Sequence, residues 1–168
     1  MKKFAVQVIG LLILTTAALY FYNPTGQNGN NIIFPFAPQK AAFKQLEVNG
    51  HKIKVEIADT KDKRNKGLGG RESMKDDEGM LFIFDDLKKH SFWMKGLSSP
   101  LDFVWIKDNT VVDIILDAKP PISGQKDTDL PIYLPKEEVN RMLEIKAGGV
   151  ERLGIKIGDN IKVTDIPK

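Results

Sequence analysis

The pattern of apolar and polar positions divides the chain into three stretches. Residues 4–22 are almost continuously apolar, residues 23–40 are rich in Asn, Gly and Pro, and residues 41–168 alternate in short segments. A helix over residues 4–22 would be about 28 Å long, close to the thickness of the hydrocarbon core of a bilayer. We therefore expect an N-terminal transmembrane helix within residues 1–22, a flexible linker over 23–40 and a globular domain over 41–168.

The N-terminal segment has two interpretations. Lys2 and Lys3 precede the apolar run, which predicts a cytoplasmic N-terminus and a domain outside the membrane. The run is longer than the apolar stretch of about 7–15 residues that is typical of a signal peptide. A single-pass anchor in the cell membrane, with the lipid bilayer as the partner of residues 4–22, is the leading prediction. A cleaved signal peptide, and hence a secreted domain, is the alternative.

Turn signals separate short apolar segments throughout the globular part. Asn49-Gly50 lies between two alternating segments and is typical of a type I′ hairpin, whose strands must be antiparallel. Thr60 can cap a short helix. The predicted strands are 43–48, 51–58, 79–84, 91–95, 101–107, 110–116 and one from about 140, with short helices at 60–67 and 149–153 and a closing hairpin over 155–163. We predict a mainly β single domain, a small antiparallel barrel or sandwich with one or two short helices.

Composition and charge narrow the classes of function. The chain contains no cysteine, which excludes thiol catalysis, and its two histidines lie in separate segments, which does not favour a zinc site. Without Lys2 and Lys3, 23 of the 25 basic residues remain against 22 acidic residues, so the rest of the chain is nearly neutral. No basic stripe with interleaved aromatic residues indicates nucleic-acid binding. We therefore expect no metal, no cofactor and no nucleic-acid partner.

A dense set of motifs begins at Gly67. G-L-x-G-R, D-x-G-M-L-F-x-F, F-W-M-K and P-L-D follow one another up to Asp102, and L-E-x-x-A-G and G-I-x-x-G-D come later. In this order they resemble the domain-of-unknown-function 192 family, also called the uncharacterised ACR family. The resemblance extends from about Val55 to Val163. It implies a compact, mostly β domain, often behind a signal or an anchor, whose activity is not established.

The chain departs from the family pattern at two places. The family usually has methionine at the position of Gly69, and Asn-Thr after F-W-M-K, where Gly96-Leu97 stands here. If the missing polar groups bind a ligand, this chain binds that ligand more weakly or differently. The matched apolar positions, such as Met80 and Phe82, are expected to lie in the core.

Polar residues among apolar neighbours are the candidate site. Lys95 follows Phe-Trp-Met directly, and Asp102 begins the next apolar strand, so a short loop should bring them together. One interpretation is a structural ion pair between Lys95 and Asp102. The other is a pocket whose cations suit a carboxylate, a phosphate or an acidic sugar. The residues of this predicted pocket are Arg71, Trp93, Lys95 and Asp102.

His90 and Glu144 are secondary candidates. His90 would serve as a general base if it lay near Asp102, although its position after two lysines favours a surface location. The leading hypothesis is a membrane-anchored, extracytoplasmic, non-enzymatic module that binds a small anionic ligand or a cell-envelope partner. The alternatives are an envelope hydrolase that uses Asp102 and His90 in acid–base chemistry, and a purely structural accessory domain.

Overall fold

The computed structural model describes residues 43–71 and 73–165, which form a single mainly β domain. The predicted transmembrane segment and linker lie outside these residues. Within the two described ranges, no helix is long and apolar enough to cross a bilayer. The elements are β1 (Phe43–Val48), β2 (His51–Ala58), α1 (Lys61–Lys66), β3 (Glu78–Lys88), β4 (Leu101–Lys107), β5 (Thr110–Ala118), a 3₁₀ helix (Asp127–Asp129), β6 (Val139–Lys146), α2 (Gly149–Arg152) and β7 (Lys162–Asp165).

The seven strands form one mixed sheet in the order β5-β4-β6-β3-β2-β1-β7. Five of the six strand pairs are antiparallel, but β2 and β3 are parallel. The prediction of an antiparallel sheet was therefore wrong at this pair, because α1 carries the chain back so that β3 runs in the direction of β2. The N–H of Ile161 donates to the carbonyl of Asn109 at 2.7 Å, which brings the segment before β7 to the start of β5.

The predicted hairpin turn and the predicted helix cap are confirmed. Asn49 and Gly50 have φ angles of 50° and 77°, as a type I′ turn requires, and β1 pairs with β2 across this turn. The hydroxyl of Thr60 accepts the N–H of Lys63 at 3.3 Å and begins α1, which ends at Gly67. Each of these features depends on residues that are close in sequence.

Two predicted elements are different in the structure. Residues 91–95 do not form a strand but an isolated bridge between Phe92 and Tyr133. Tyr133 lies in a loop with prolines two residues to either side, which cannot donate the hydrogen bonds of a longer ladder. The expected closing hairpin over 155–163 is a turn followed by β7, which pairs with β1. The residues between this turn and β7 form hydrogen bonds with the start of β5 and therefore do not pair as a hairpin.

The sheet buries apolar side chains on both faces. The face that we call the inner face carries Leu46, Val104 and Leu143, against which the Val150 side chain of α2 packs. The outer face carries a second buried cluster, which includes Met80, Phe82, Phe103, Trp105 and Met94. Strands with two buried faces read as continuous apolar runs, as β4 does. The candidate site lies on the outer face.

Gly79 allows β3 and β6 to pack closely. A Cβ atom at Gly79 would lie 2.8 Å from the carbonyl oxygen of Glu144 and 3.0 Å from the Cγ2 atom of Ile145. Because a backbone atom cannot rotate away, we expect Gly79→Ala to lower the free energy of unfolding by about 2 kcal/mol, measured by urea denaturation.

Gly149→Ala is the matched control for Gly79→Ala. A Cβ atom there would meet only side-chain atoms of Ile145, of which the terminal Cδ1 is nearest at 2.7 Å, and alanine favours the helix. We expect a change within about 1 kcal/mol. Equal losses in the two variants would show that the close approach to the backbone of β6 does not explain Gly79.

Candidate functional site

A cavity of about 510 Å³ opens on the outer face of the sheet. Residues of α1 and the glycine turn after it line one side, and the segment 90–97 lines another. Ile132 of the proline-rich loop between β5 and β6 and Glu144 of β6 also line the cavity. The long loop, which connects two strands, therefore contributes directly to the site.

Aromatic rings form much of the cavity wall. The rings of Phe82 and Phe92 meet edge to face with their centroids 4.9 Å apart. Phe84 stacks on the imidazole of His90 at 3.6 Å, and Trp93 is 47% exposed. Such a surface suits the apolar or aromatic part of a ligand.

Glu144 places a carboxyl group in this aromatic surrounding. Its neighbours on the adjacent strands are Met80 and Phe103, and the alternation along β6 directs its side chain to the outer face. Only 3% of the residue is exposed. The carboxyl makes no hydrogen bond or ion pair with any residue of the described ranges.

Burial raises the pKa of Glu144 from 4.5 to about 8, because the apolar surroundings disfavour the charged form. The carboxyl therefore keeps its proton at neutral pH and can both donate and accept a hydrogen bond. An unpartnered buried polar group is costly, and groups with such perturbed pKa values concentrate at functional sites. Glu144 is thus the feature of the cavity that core packing does not explain.

Three basic side chains line the same cavity: Arg64, Lys66 and Lys95. The Nη1 of Arg64 donates to two backbone carbonyls at 2.9 and 2.7 Å, which do not neutralise its charge. Lys95 pairs with the carboxylate of Asp127 at 2.5 Å. Lys66 is exposed, and its ammonium group makes no hydrogen bond or ion pair with a described residue. The cavity therefore has a net positive rim.

Asp102 is buried on the inner face, away from this cavity. Its two carboxylate oxygens accept the N–H groups of Asp117 at 2.9 Å and of Val150 at 3.0 Å. Val150 lies in the first turn of α2, where N–H groups lack helical partners, so Asp102 caps this helix from a neighbouring strand. Its role in the structure is to hold α2 and the end of β5 on β4.

Two expectations about Asp102 were therefore wrong. The predicted ion pair between Lys95 and Asp102 is absent, because Asp102 points to the inner face and Lys95 pairs with Asp127. Asp102 and His90 are also not an acid–base pair. The imidazole of His90 lies on the outer face, 3.2 Å from the carbonyl oxygen and 3.4 Å from a carboxylate oxygen of Asp86.

Arg71 lies outside the cavity as well. Its guanidinium forms an ion pair with the carboxylate of Glu56, and it lines a separate cavity of only about 20 Å³. The structure thus does not place Arg71 or Asp102 with the other candidates. The predicted residues that line the large cavity are Trp93, Lys95, His90 and Glu144.

The sequence pattern alone does not assign α1 to the site. Arg64 and Lys66 lie on a helix that the sequence predicts from its terminal residues, which say nothing of a site, and Phe82 is expected only in the core. The G-L-x-G-R motif meets the residue that follows F-W-M-K through a hydrogen bond from the N–H of Gly70 to the carbonyl of Gly96, at 3.0 Å. The crowding of motif residues between Gly67 and Asp102 is the one signal in the sequence that these motifs belong to a common site. No local pattern shows that they are in contact.

The fold and site define a small mainly β domain with an aromatic, positively rimmed cavity and one buried carboxyl. The family model of domain-of-unknown-function 192, described as "Uncharacterized ACR", matches residues 44–163. The chain belongs to this family, which confirms the resemblance seen in its motifs. No curated protein matches the chain.

Two solved structures are similar to this domain. One is a protein from Sinorhizobium meliloti, described as a candidate transcription regulator, with 31% identity and a TM-score of 0.67; the match covers 76% of this chain and 98% of that chain. The other is a protein of unknown function from Novosphingobium aromaticivorans, with 30% identity and a TM-score of 0.65, covering 75% of this chain and 89% of that chain. Both support the fold described here.

Proposed function

We propose that the domain is a non-enzymatic module that binds a small molecule with an anionic group in the cavity on the outer face. The observation that carries this proposal is the charge of the lining. Arg64 and Lys66 contribute positive charge that no carboxylate of the described residues pairs with, and the carboxyl of Glu144 is protonated at neutral pH. A phosphate or carboxylate at the rim would compensate this charge through charge-assisted hydrogen bonds.

Lys66 is the most available cation of the rim. Lys95 is already paired with an aspartate and lies 5.4 Å from the ring centre of Trp93. Arg64 is held by two backbone carbonyls. Lys66 has no acidic partner among the described residues, so an incoming anion displaces no ion pair to reach it. We assign the first contact with the anion to Lys66.

The size and wall of the cavity support a small organic ligand. Its volume of about 510 Å³ lies within the range of roughly 300–1,000 Å³ that is usual for small-molecule sites. Phe82, Phe92 and Trp93 supply apolar surface for the body of the ligand. The hydrolase alternative receives no support, because Asp102 and His90 lie on opposite faces of the sheet.

A thermal-shift screen of the full-length chain tests the proposal. The probes are phosphate esters, organic acids and acidic sugars. A ligand at about one hundred times its dissociation constant adds about 2.7 kcal/mol of stability, which is readily measured. If no anion stabilises the protein, the proposal fails and a structural accessory domain is favoured.

We expect Lys66→Ala to weaken the binding of a stabilising anion about tenfold in calorimetric titrations, since hydrogen bonds to charged groups contribute about 1.5–3 kcal/mol. Lys61→Ala is the matched control, because Lys61 lies exposed on the same helix but does not line the cavity. Its affinity should equal that of the wild type. Equal losses in both variants would remove Lys66 from the site.

We further propose that residues 1–22 tether the domain to the outer side of the cell membrane. The apolar run after Lys2 and Lys3 supports this proposal, and the linker over 23–40 would reach roughly 25 Å as a flexible coil. N-terminal sequencing of protein extracted from membranes tests it. A start at Met1 supports an anchor, whereas a start beyond residue 18 would mean that the segment is a removed signal peptide.

A further inference from the structure

Glu144 is the feature of the cavity that an anionic ligand alone does not explain. An anion at the rim compensates Lys66 and Arg64 but leaves the buried carboxyl without a partner. We propose that the ligand is a small zwitterion whose ammonium group lies against Glu144 and whose phosphate or carboxylate lies at the rim. This inference rests on the proposed function and specifies the chemical class of its ligand.

The rings inside the cavity favour a cation beside Glu144. Phe82 and Phe92 line the same cavity, and the faces of such rings attract ammonium groups. At the rim, the protein's own cations already make this contact, since Arg64 and Lys95 lie 5.2 and 5.4 Å from aromatic ring centres. No cation of the described residues lies over Phe82 or Phe92. The rings of Phe82 and Phe92 are therefore available to a cation of the ligand.

The charged groups that face the cavity differ in burial: the acidic group is buried, and the basic groups lie nearer to solvent. Among the described residues, α1 contributes Arg64 and Lys66, the segment 90–97 contributes His90 and Lys95, and β6 contributes Glu144. β3 and β4 present no titratable side chain to the cavity in the described ranges. A zwitterion complements both ends of this arrangement. A simple cation is repelled by the rim, and a simple anion held at the rim leaves the carboxyl without a partner.

Binding of the ammonium group is coupled to loss of a proton from Glu144. Burial raises the pKa of Glu144 to about 8, so the free protein holds this proton at neutral pH. The ligand's positive charge favours the carboxylate and lowers this pKa again. Affinity should therefore rise by up to about tenfold per pH unit between about pH 6 and pH 8, and near neutral pH up to about one proton should be released.

Calorimetric titration of the full-length chain with matched ligand pairs tests the inference. Phosphocholine is compared with 3,3-dimethylbutyl phosphate, and 4-aminobutyrate with pentanoate, since each analogue replaces the cation by carbon. We expect at least one zwitterion to bind about tenfold or more tightly than its analogue, with proton release detected in buffers of different ionisation enthalpy. Glycerophosphocholine is the third probe, and its preference over phosphocholine would identify a lipid headgroup rather than a free phosphate monoester as the source.

Glu144→Gln is the matched variant, because it keeps the shape of the side chain and removes its charge. The variant should bind the zwitterion no more tightly than the analogue and should release no proton, while Lys61→Ala changes neither quantity. If analogue and zwitterion bind equally and Lys66→Ala weakens both, the zwitterion inference is overturned and the proposed function stands. If no member of any pair binds and the anion screen finds no ligand, both are overturned.

Discussion

Asp102→Ala is expected to lower the free energy of unfolding by about 3–4 kcal/mol, because it removes the acceptor of two hydrogen bonds at once. Asp102 is 1% exposed, and its carboxylate accepts the N–H groups of Asp117 and Val150. Each buried donor left without a partner costs about 1–3 kcal/mol. Urea denaturation followed by circular dichroism measures the change.

The loss of stability should arise at both hydrogen-bond partners of Asp102. Asp117 has a φ of 56°, an unusual conformation for a residue with a side chain, and the hydrogen bond to Asp102 holds it there. Val150 lies in the first turn of the short helix α2, whose N-cap Gly148 offers no side-chain cap. Without Asp102, both α2 and the end of β5 lose an anchor on β4.

Two further variants make this prediction specific. Asp102→Asn keeps an oxygen acceptor but places an amide against a donor, so it should lose about half as much as alanine. Asp85→Ala, at an exposed aspartate of β3, should change stability by no more than about 0.5 kcal/mol. If Asp102→Ala were as stable as Asp85→Ala, the buried carboxylate would not anchor α2.

The fold was predictable where neighbouring residues determine the geometry. Asn49-Gly50 defines a hairpin and Thr60 begins a helix, because turn and cap chemistry acts over a few residues. The parallel pairing of β2 with β3 was not predictable in this way. It joins Ile57 to Leu81 across α1 and a polar loop, and no turn motif specifies such a distant pair.

The site was less predictable, because both faces of the sheet are buried. In β4, Asp102 and Phe103 lie on opposite faces, yet the surrounding residues are apolar on both sides. The sequence therefore identifies Asp102 as a polar residue in the core without indicating its direction. Glu144 has the same ambiguity, and only the three-dimensional structure places it in the cavity with Lys66 and Trp93.

The remaining large effect concerns Glu144 and the pH dependence of stability. Its pKa is about 8 in the folded domain against an ordinary value of 4.5. Because the folded-state pKa is the higher one, the folded domain holds the Glu144 proton more tightly than the unfolded chain does. The stability that this proton contributes is fully present below about pH 4.5 and is lost as pH rises through about 8. Each pH unit in that window corresponds to about 1.4 kcal/mol, so the total loss is on the order of 5 kcal/mol.

Glu144→Gln should remove this dependence, because an amide stays neutral throughout the window. The free energy of unfolding of the variant minus that of the wild type should grow by about 4 kcal/mol between about pH 5 and pH 8, measured by urea denaturation at each pH. Carboxyls with a lowered pKa, such as Asp59 beside Lys63, titrate below this window. The exposed control Glu137→Gln should follow the wild type. If the Glu144→Gln and wild-type curves were parallel instead, Glu144 would already be compensated in the free protein, and the cavity would have no unpaired acid to offer a cation.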